Sequence, residues 1–113
     1  MLDKTEFAAV LDSIDLPHVY YSFPENAAPP LPYFVYYYFG SANVSADDVA
    51  YVEVLQPVLE LYTAQKSFDT EAQIENALNA AGLFWNKTES YLTTEEMYMV
   101  TYDITGVLNK HAE

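Results

Sequence analysis

The chain has 113 residues, 51% of them apolar and none of them cysteine, and its 17 acidic and four basic residues give a formal net charge of −13. This composition indicates one globular domain over 1–113 and excludes disulfides, thiolate catalysis and cysteine-ligated metals. All four basic residues are lysines, and this acidic excess argues against a nucleic-acid binder, which needs clustered lysine and arginine to hold phosphates.

Nothing in the sequence points to a membrane or to export. No apolar run approaches the roughly 18 residues that a helix needs to cross a bilayer. The N-terminus lacks the basic and apolar regions of a secretory signal. We therefore expect a protein made in the cytoplasm, without a membrane partner.

The first predicted element is a helix over residues 3–14. Its apolar residues between positions 7 and 14 recur at the i, i+3, i+4, i+7 spacing of one helix face. Either Asp3 or Thr5 can cap its start, and Pro17 follows the expected helix end.

A proline-rich segment over 15–32 is predicted to be irregular. It contains five of the six prolines of the chain, together with Tyr20, Tyr21 and Phe23. Because so many aromatic side chains argue against disorder, we expect the segment to pack across the sheet or against a neighbouring subunit.

Residues 33–39 are the most distinctive part of the sequence. Their seven consecutive β-formers include six aromatic side chains and predict a strand. Because side chains alternate along a strand, both faces would carry large rings, whereas a single core needs one apolar face. We expect the second face to meet a covering element, a ligand or another subunit. The alternative, which needs no partner, is a core strand with helices on both faces.

The next segment is predicted to be a long hairpin loop, followed by strands over 49–55 and 58–63. Small and polar residues over 40–48 indicate a loop longer than a tight turn requires. Pro57 separates the two strand segments, which are either one bent strand with a bulge or two separate strands.

The second predicted helix starts at a capping box. Thr70 and Gln73 have the spacing at which each side chain bonds the backbone N–H of the other. The apolar stripe over 74–81 follows, and Gly82 stands where a helix commonly ends in a C′ glycine.

Two further strands are predicted over 83–92 and 97–105, joined by a turn, and the tail over 106–113 is expected to be frayed. In the second of these strands, alternation places Tyr98, Val100, Tyr102 and Ile104 on one face. The resulting order is α-β-β-α-β-β. This order predicts an α+β fold in which two helices pack on a mostly antiparallel sheet of four to five strands.

The sequence contains no recognisable catalytic, cofactor or metal motif. His18 and His111 lie far apart, and the chain has three glycines and no phosphate-binding loop. Asp47 and Asp48 lack the ligand spacing of a calcium loop. We therefore predict a protein that is not an enzyme and uses neither a metal nor a cofactor.

Three blocks of residues form a distinctive combination between positions 16 and 102. The matching residues are Leu16, Pro17, Tyr20, Tyr21, Phe23, Ala28, Pro29, Pro32, Tyr33, Phe34, Tyr37, Asn43, Ala46 and Asp47 in the first block, residues 58–63, Lys66 and Asp69 in the second, and Ile74, Glu75, Ala77, Leu78, residues 82–87, Tyr91, residues 96–98 and residues 100–102 in the third. In this order and spacing they resemble the tail terminator (tail completion) family, which belongs to the head-to-tail joining module of siphophages and prophages of Gram-positive bacteria.

The resemblance implies a structural virion protein at the head–tail junction, assembled in the host cytoplasm and without enzyme activity. It implies an α+β subunit in a ring, typically of six copies, that ends the tail tube. The expected partners are further copies of the chain, the major tail protein and the head-closure or connector protein. DNA would pass through the lumen without specific binding, and an acidic lumen would let it slide without sticking.

A ring subunit needs a second apolar surface, because each copy contacts its neighbour through a heterologous interface. Tyrosine is enriched in such interfaces, and the long loop over 40–48 could reach a neighbour, the tube or the lumen. The candidate subunit or tube interface comprises Tyr20, Tyr21, Phe23, Tyr36, Tyr38, Asn43, Asp47 and Asp48.

Three other functions remain open at the level of sequence. The chain could be another neck or tube subunit, such as a head-closure protein. It could be an acidic DNA mimic, although a mimic needs rows of acids at phosphate spacing and the acids here are scattered. A small enzyme is the third alternative, and no motif supports it.

Overall fold

Two helices pack on one face of a six-stranded sheet. The computed structural model describes residues 2–24, 27–46 and 50–110, and for 40–46, 50–53 and 109–110 it gives the backbone alone. The elements in chain order are α1 (Lys4–Asp12), β1 (His18–Tyr20), β2 (Tyr33–Ala46), β3 (Ala50–Thr63), α2 (Phe68–Ala80), β4 (Phe84–Leu92), β5 (Met97–Thr105) and β6 (Val107–Lys110).

The sheet is mixed and has the strand order β1-β2-β3-β5-β4, with β6 also paired to β3. β1 runs parallel to β2, and every other pair is antiparallel. The α+β class and the two helices agree with the sequence prediction. The prediction of four to five antiparallel strands missed β1 and β6, because three or four residues are too short to show an alternating pattern.

β6 lies within the segment that was expected to fray. Val107 is fully buried, and β6 pairs with β3 over Leu55↔Val107 to Val52↔Lys110. Leu2 adds a backbone contact, because the Leu108 N–H donates to the Leu2 carbonyl at 2.7 Å. Residues 111–113 lie outside the described residues.

Helix α1 forms where the sequence predicts it. Asp3 and Glu6 make a reciprocal capping box, in which each side chain accepts a hydrogen bond from the backbone N–H of the other, at 2.8 and 3.0 Å. Phe7, Leu11 and Ile14 are buried against the sheet. The apolar stripe therefore sets which face of α1 meets the core.

Helix α2 begins earlier than the predicted capping box. Ser67 is the N-cap, and its hydroxyl accepts a hydrogen bond from the Thr70 N–H at 3.2 Å. Thr70 thus lies in the first turn rather than at the cap. The predicted start at Thr70 is therefore three residues late, because the hydroxyl of Ser67 can also cap a helix and does so here. Gly82 follows the C-cap with a φ of +75°, as predicted.

The hairpin of β2 and β3 is much longer than the sequence predicts. Residues 40–46, expected in a loop, continue β2 and pair with residues 50–56. Each strand has 14 residues, or about 46 Å at the usual rise, which nearly matches the longest dimension of the molecule, 51 Å. The small, polar residues at 40–46 have weak strand propensity, and continuous pairing with β3 overrides it.

Two irregularities lie on opposite sides of the same point of β3. Phe39 is an extra residue in β2, because Tyr38 pairs with Pro57 and Gly40 with Gln56. On the other edge, the register shifts by one residue between β5 and β6 around Gly106, whose φ is +117°. β3 is therefore one strand, and the bulges lie in the chain on either side of it, in β2 and at the junction of β5 and β6. This arrangement is close to the predicted alternative of one bent strand with a bulge.

The core lies between the helices and one face of the sheet. It contains Phe7, Leu11, Ile14, Phe34, Leu55, Leu59, Leu61, Ile74, Leu78, Leu83, Val100, Tyr102, Ile104 and Val107. The alternation predicted for β5 is confirmed, since Val100, Tyr102 and Ile104 are buried together. We call the other face, on which no helix of the described chain packs, the open face. The described helices are too short and too polar to cross a bilayer.

Candidate interaction site on the open face

Five aromatic side chains gather on the open face: Tyr21, Phe23, Tyr33, Tyr37 and Tyr62, which we call the open-face cluster. Alternation along β2 places Tyr33 and Tyr37 there, and Tyr62 of β3 pairs with Tyr33, with ring centroids 5.4 Å apart. Phe23 meets Tyr33 edge-on at 5.3 Å, and Tyr21 meets Tyr37 edge-on at 6.4 Å. These contacts show that the proline-rich segment packs across the sheet, one of its two expected arrangements.

The carboxylate of Glu60 lies among these rings. Glu60 of β3 accepts a hydrogen bond from the Tyr37 hydroxyl at 2.8 Å and another from the Tyr62 hydroxyl at 2.7 Å. Burial and the hydrogen bond to Glu60 raise the pKa of Tyr37 from 10.0 to about 12, and the same causes raise the pKa of Tyr62. Both phenols therefore keep their protons at neutral pH and act as donors.

Glu60 and the cluster residues other than Tyr37 border a shallow depression of about 320 Å³. Four of its eight lining residues are aromatic, namely Tyr21, Phe23, Tyr33 and Tyr62. None of the ion pairs formed by the described residues involves Glu60. Negative ring faces beside a carboxylate favour a positively charged or hydrogen-donating group over an anion.

A second aromatic group lies on the helix-covered face, at the edge near α1. Tyr36 packs edge-on against the buried Phe7 at 6.0 Å, and Lys4 lies 5.3 Å from the Tyr38 ring centre. Tyr20 contacts both Tyr36 and Tyr38, at 5.3 and 6.0 Å. Burial, followed by nearby ionisable groups, raises the pKa of Tyr38 to about 12 and also raises that of Tyr36. These tyrosines extend the core toward solvent.

The structure divides the predicted interface residues between the two faces. Tyr21, 69% exposed, and the half-buried Phe23 lie on the open face. Tyr20, 52% exposed, lies on the other face with Tyr36 and Tyr38, which pack against the core. The set therefore does not form one continuous patch.

The hairpin residues of the predicted interface are only partly described. The backbone of Asn43 belongs to β2, where it pairs with Glu53. Asp47 and Asp48 lie outside the described residues.

A charged network joins α2 to β4 on the helix-covered face. Glu71 is only 2% exposed and pairs with Lys66 at 2.8 Å and with Lys87 at 2.9 Å. Glu75 pairs with Lys87 at 2.6 Å and accepts a hydrogen bond from the buried Tyr102 hydroxyl at 2.8 Å. Burial alone would raise the pKa of Glu71, but hydrogen bonds from the two lysines outweigh it, so this pKa is lowered. Each acid of this network therefore has a cationic partner, which offsets the cost of burying its charge.

The described residues provide no clear metal site. They contain no group of three or more histidine, aspartate or glutamate side chains arranged to hold an ion. His18 stacks on Phe34 with centroids 4.5 Å apart, and its ring nitrogens contact the Leu16 carbonyl and Asp12, each at 2.9 Å. These contacts give His18 a local structural role.

Sequence reasoning missed the centre of the open-face cluster. Glu60, Tyr37 and Tyr62 were not among the candidates, although Glu60 is the one charged residue within 58–63. An acid at alternating spacing between apolar residues of a central strand indicates that its face is not closed by a helix. That signal is present in the amino-acid sequence itself and distinguishes the open face from the helix-covered one.

The fold has a known counterpart. Among solved structures, the chain is similar to a chain of the virion of a native gene transfer agent particle, with a TM-score of 0.50, 15% sequence identity, and alignment over 86% of this chain and 79% of the other. Neither a protein-family profile nor a curated protein sequence matches this chain. At this identity, the similarity shows that the two chains share a fold.

Proposed function

We propose that the chain is a structural virion protein of the phage neck, a tail terminator-like subunit whose ring ends the tail tube and joins it to the head connector. The main support is the fold shared, over most of both chains, with a component of a gene transfer agent virion. The three sequence blocks that resemble tail terminators agree with it. In this role the protein needs no catalytic site.

The shape of the subunit suits a ring. Each copy in a ring presents two different surfaces, one for each neighbour. The open-face cluster around Glu60 is one aromatic surface outside the helix-covered core, and the exposed ring of Tyr20 lies on the other face. β4 forms an outer edge of the sheet, and the long hairpin of β2 and β3 extends the subunit to 51 Å. These features give a neighbour several places to bind.

The charge of the chain suits a lumen through which DNA passes. Lys66 and Lys87, two of the four lysines, are engaged by Glu71, Glu75 and Glu89. The net charge of −13 would weaken contact with DNA phosphates. We propose that acids line the bore of the ring.

Light scattering coupled to size-exclusion chromatography, followed by electron microscopy with purified tail tubes, tests the proposal. The expected species is a ring with about six times the subunit mass of 12.8 kDa, bound at one end of each tube. A monomer or dimer at every concentration, with and without tubes, would count against the ring. Rings that bind the head connector but not the tube would instead favour a head-closure protein. A tight complex with a DNA-binding enzyme would favour the acidic mimic.

A further inference from the structure

We propose that the depression around Glu60 on the open face binds the side chain of an arginine from a partner protein. The inference does not depend on the ring or on the neck location. It follows from the chemistry of the depression, which combines aromatic walls, one carboxylate and no neighbouring cation among the described residues.

The hydrogen bonds of Glu60 leave room for a further donor. Each carboxylate oxygen accepts one phenol hydrogen bond, from Tyr62 on Oε1 and from Tyr37 on Oε2. A carboxylate has about four acceptor sites, so about two remain. Tyr37 and Tyr62 are neutral donors and only partly stabilise the negative charge of Glu60. A cation that donates hydrogen bonds to the remaining acceptor sites would balance that charge.

The aromatic walls favour a guanidinium group. Its planar surface stacks on rings, while its N–H groups donate in a fixed fork to a carboxylate. The ring centroids of Tyr33 and Tyr62 lie 5.4 Å apart, and Phe23 meets Tyr33 edge-on at 5.3 Å. The volume of about 320 Å³ is at the lower end for ligand pockets, which suits a single side chain.

The occupant must come from a different protein, because this chain contains no arginine. Its net charge of −13 would also attract a basic partner and accelerate the encounter. A second copy of the chain has no arginine to place in the depression, whatever contacts it makes with the rings around it. Charge complementarity therefore points to a basic partner protein.

Nuclear magnetic resonance with ring-labelled tyrosine and phenylalanine tests this inference on the intact protein. We expect N-acetyl-arginine amide to shift the Tyr37 and Tyr62 signals saturably, with a dissociation constant on the order of millimolar. N-acetyl-citrulline amide, the neutral isostere, is the matched ligand control and should produce no saturable shift. Equal binding of both compounds, or shifts located elsewhere, would overturn the proposal.

Two variants and two further ligands sharpen the test. Glu60→Gln should weaken arginine binding by at least about tenfold, whereas Glu95→Gln, in the exposed turn after β4, should leave it unchanged. If Glu60→Gln does not fold, Tyr21→Ala removes part of the wall instead and should also weaken binding.

N-acetyl-lysine amide binding at least as tightly as the arginine compound would overturn the preference for arginine. A blocked Gly-Arg-Gly peptide that fails to bind would exclude a protein partner. These measurements need no assembled ring. Arginine binding can therefore be refuted while ring formation is confirmed, and ring formation can be refuted while arginine binding is confirmed.

Discussion

Lys87 of β4 places its Nζ 2.9 Å from Oε1 of Glu71 on α2, a carboxylate that is almost completely buried. The same ammonium group lies 2.6 Å from Glu75 Oε2. One lysine thus holds two acids of α2 against the edge strand of the sheet. Since a buried carboxylate without its partner is strongly unfavourable, this contact carries more weight than an exposed ion pair.

Replacing Lys87 should therefore destabilise the fold. We expect Lys87→Met to lower the free energy of unfolding by about 2 kcal/mol, less than for a fully unpaired buried charge because Lys66 still contacts Glu71. Urea denaturation measures the change. Lys4→Met, at an exposed position of α1, is the matched control and should lose less than about 1 kcal/mol. Equal losses in the two variants would show that the network contributes little.

The same network predicts how stability depends on acid pH. The folded pKa of Glu71 is lowered from its ordinary value of 4.5, so the folded state favours the ionised form. This contribution is fully present above pH 4.5 and is lost as the pH falls through the lower folded pKa.

We expect Glu71→Gln to make the loss of stability below that pH shallower than in the original protein. Urea denaturation over a series of acidic pH values provides the test, with Glu95→Gln as a control that keeps the original slope. An unchanged slope in Glu71→Gln would mean that other carboxylates dominate acid unfolding.

Two glycines with positive φ should respond differently to alanine. At Gly106 the φ of +117° lies outside the region open to alanine, and an added Cβ would come 2.8 Å from Leu83 Cδ2. At Gly82 the φ is +75°, and no atom lies within 4 Å of the added Cβ. We expect Gly106→Ala to cost about 3 kcal/mol and Gly82→Ala about 1 kcal/mol. Thermal and urea denaturation measure the stability of both variants. A larger loss of stability in Gly82→Ala than in Gly106→Ala would contradict the bulge geometry at Gly106.

Tyr21 and Tyr36 allow stability to be separated from assembly. Tyr21 is 69% exposed, so Tyr21→Ala should change the free energy of unfolding by less than about 1 kcal/mol while weakening ring formation. Tyr36 packs on Phe7, so Tyr36→Ala should cost about 3 kcal/mol.

Urea denaturation and light scattering on the same samples measure both properties. If Tyr21→Ala assembles like the original protein, the interface lies elsewhere. If Tyr36→Ala keeps full stability, the tyrosines beside α1 are not part of the core and are free to serve as interface residues.

Local signals predicted the helices and the last long strand well. The cap at Asp3, the apolar stripe of α1, Gly82 after α2 and the alternation in β5 each act within a few residues. Tertiary packing agrees with these local preferences, so the sequence alone was sufficient to predict the two helices and β5. The predicted start of α2 was three residues late, because Ser67 caps the helix before Thr70 is reached.

The extended hairpin could not be predicted from local signals. Residues 40–46 have the composition of a loop, and their strand conformation comes from pairing with residues 50–56. β1 and β6 depend in the same way on strands distant in sequence. Strand propensity reflects such neighbours more than it reflects the backbone of the residue itself.

The candidate site was predicted only in part. Alternation divides the rings of 33–39 into two sets, but Tyr36 and Tyr38 have the same chemistry as Tyr33 and Tyr37, so composition does not tell which set meets the helices. The choice is made by the apolar neighbours on β3, where Leu59 and Leu61 are buried and Glu60 is not.

The paired bulges determine where the chain can change in length. Along β3, the odd-numbered residues Leu55, Leu59 and Leu61 all point to the core without interruption. Phe39 interrupts the alternation of β2 and is 80% exposed, so deleting it would restore a regular ladder while the residues on either side keep their faces. Deleting one residue of β3 between Leu55 and Leu59 would instead turn one half of the hairpin inside out relative to the other. Natural insertions and deletions should therefore occur in β2 and at the junction of β5 and β6, and should be absent from the middle of β3.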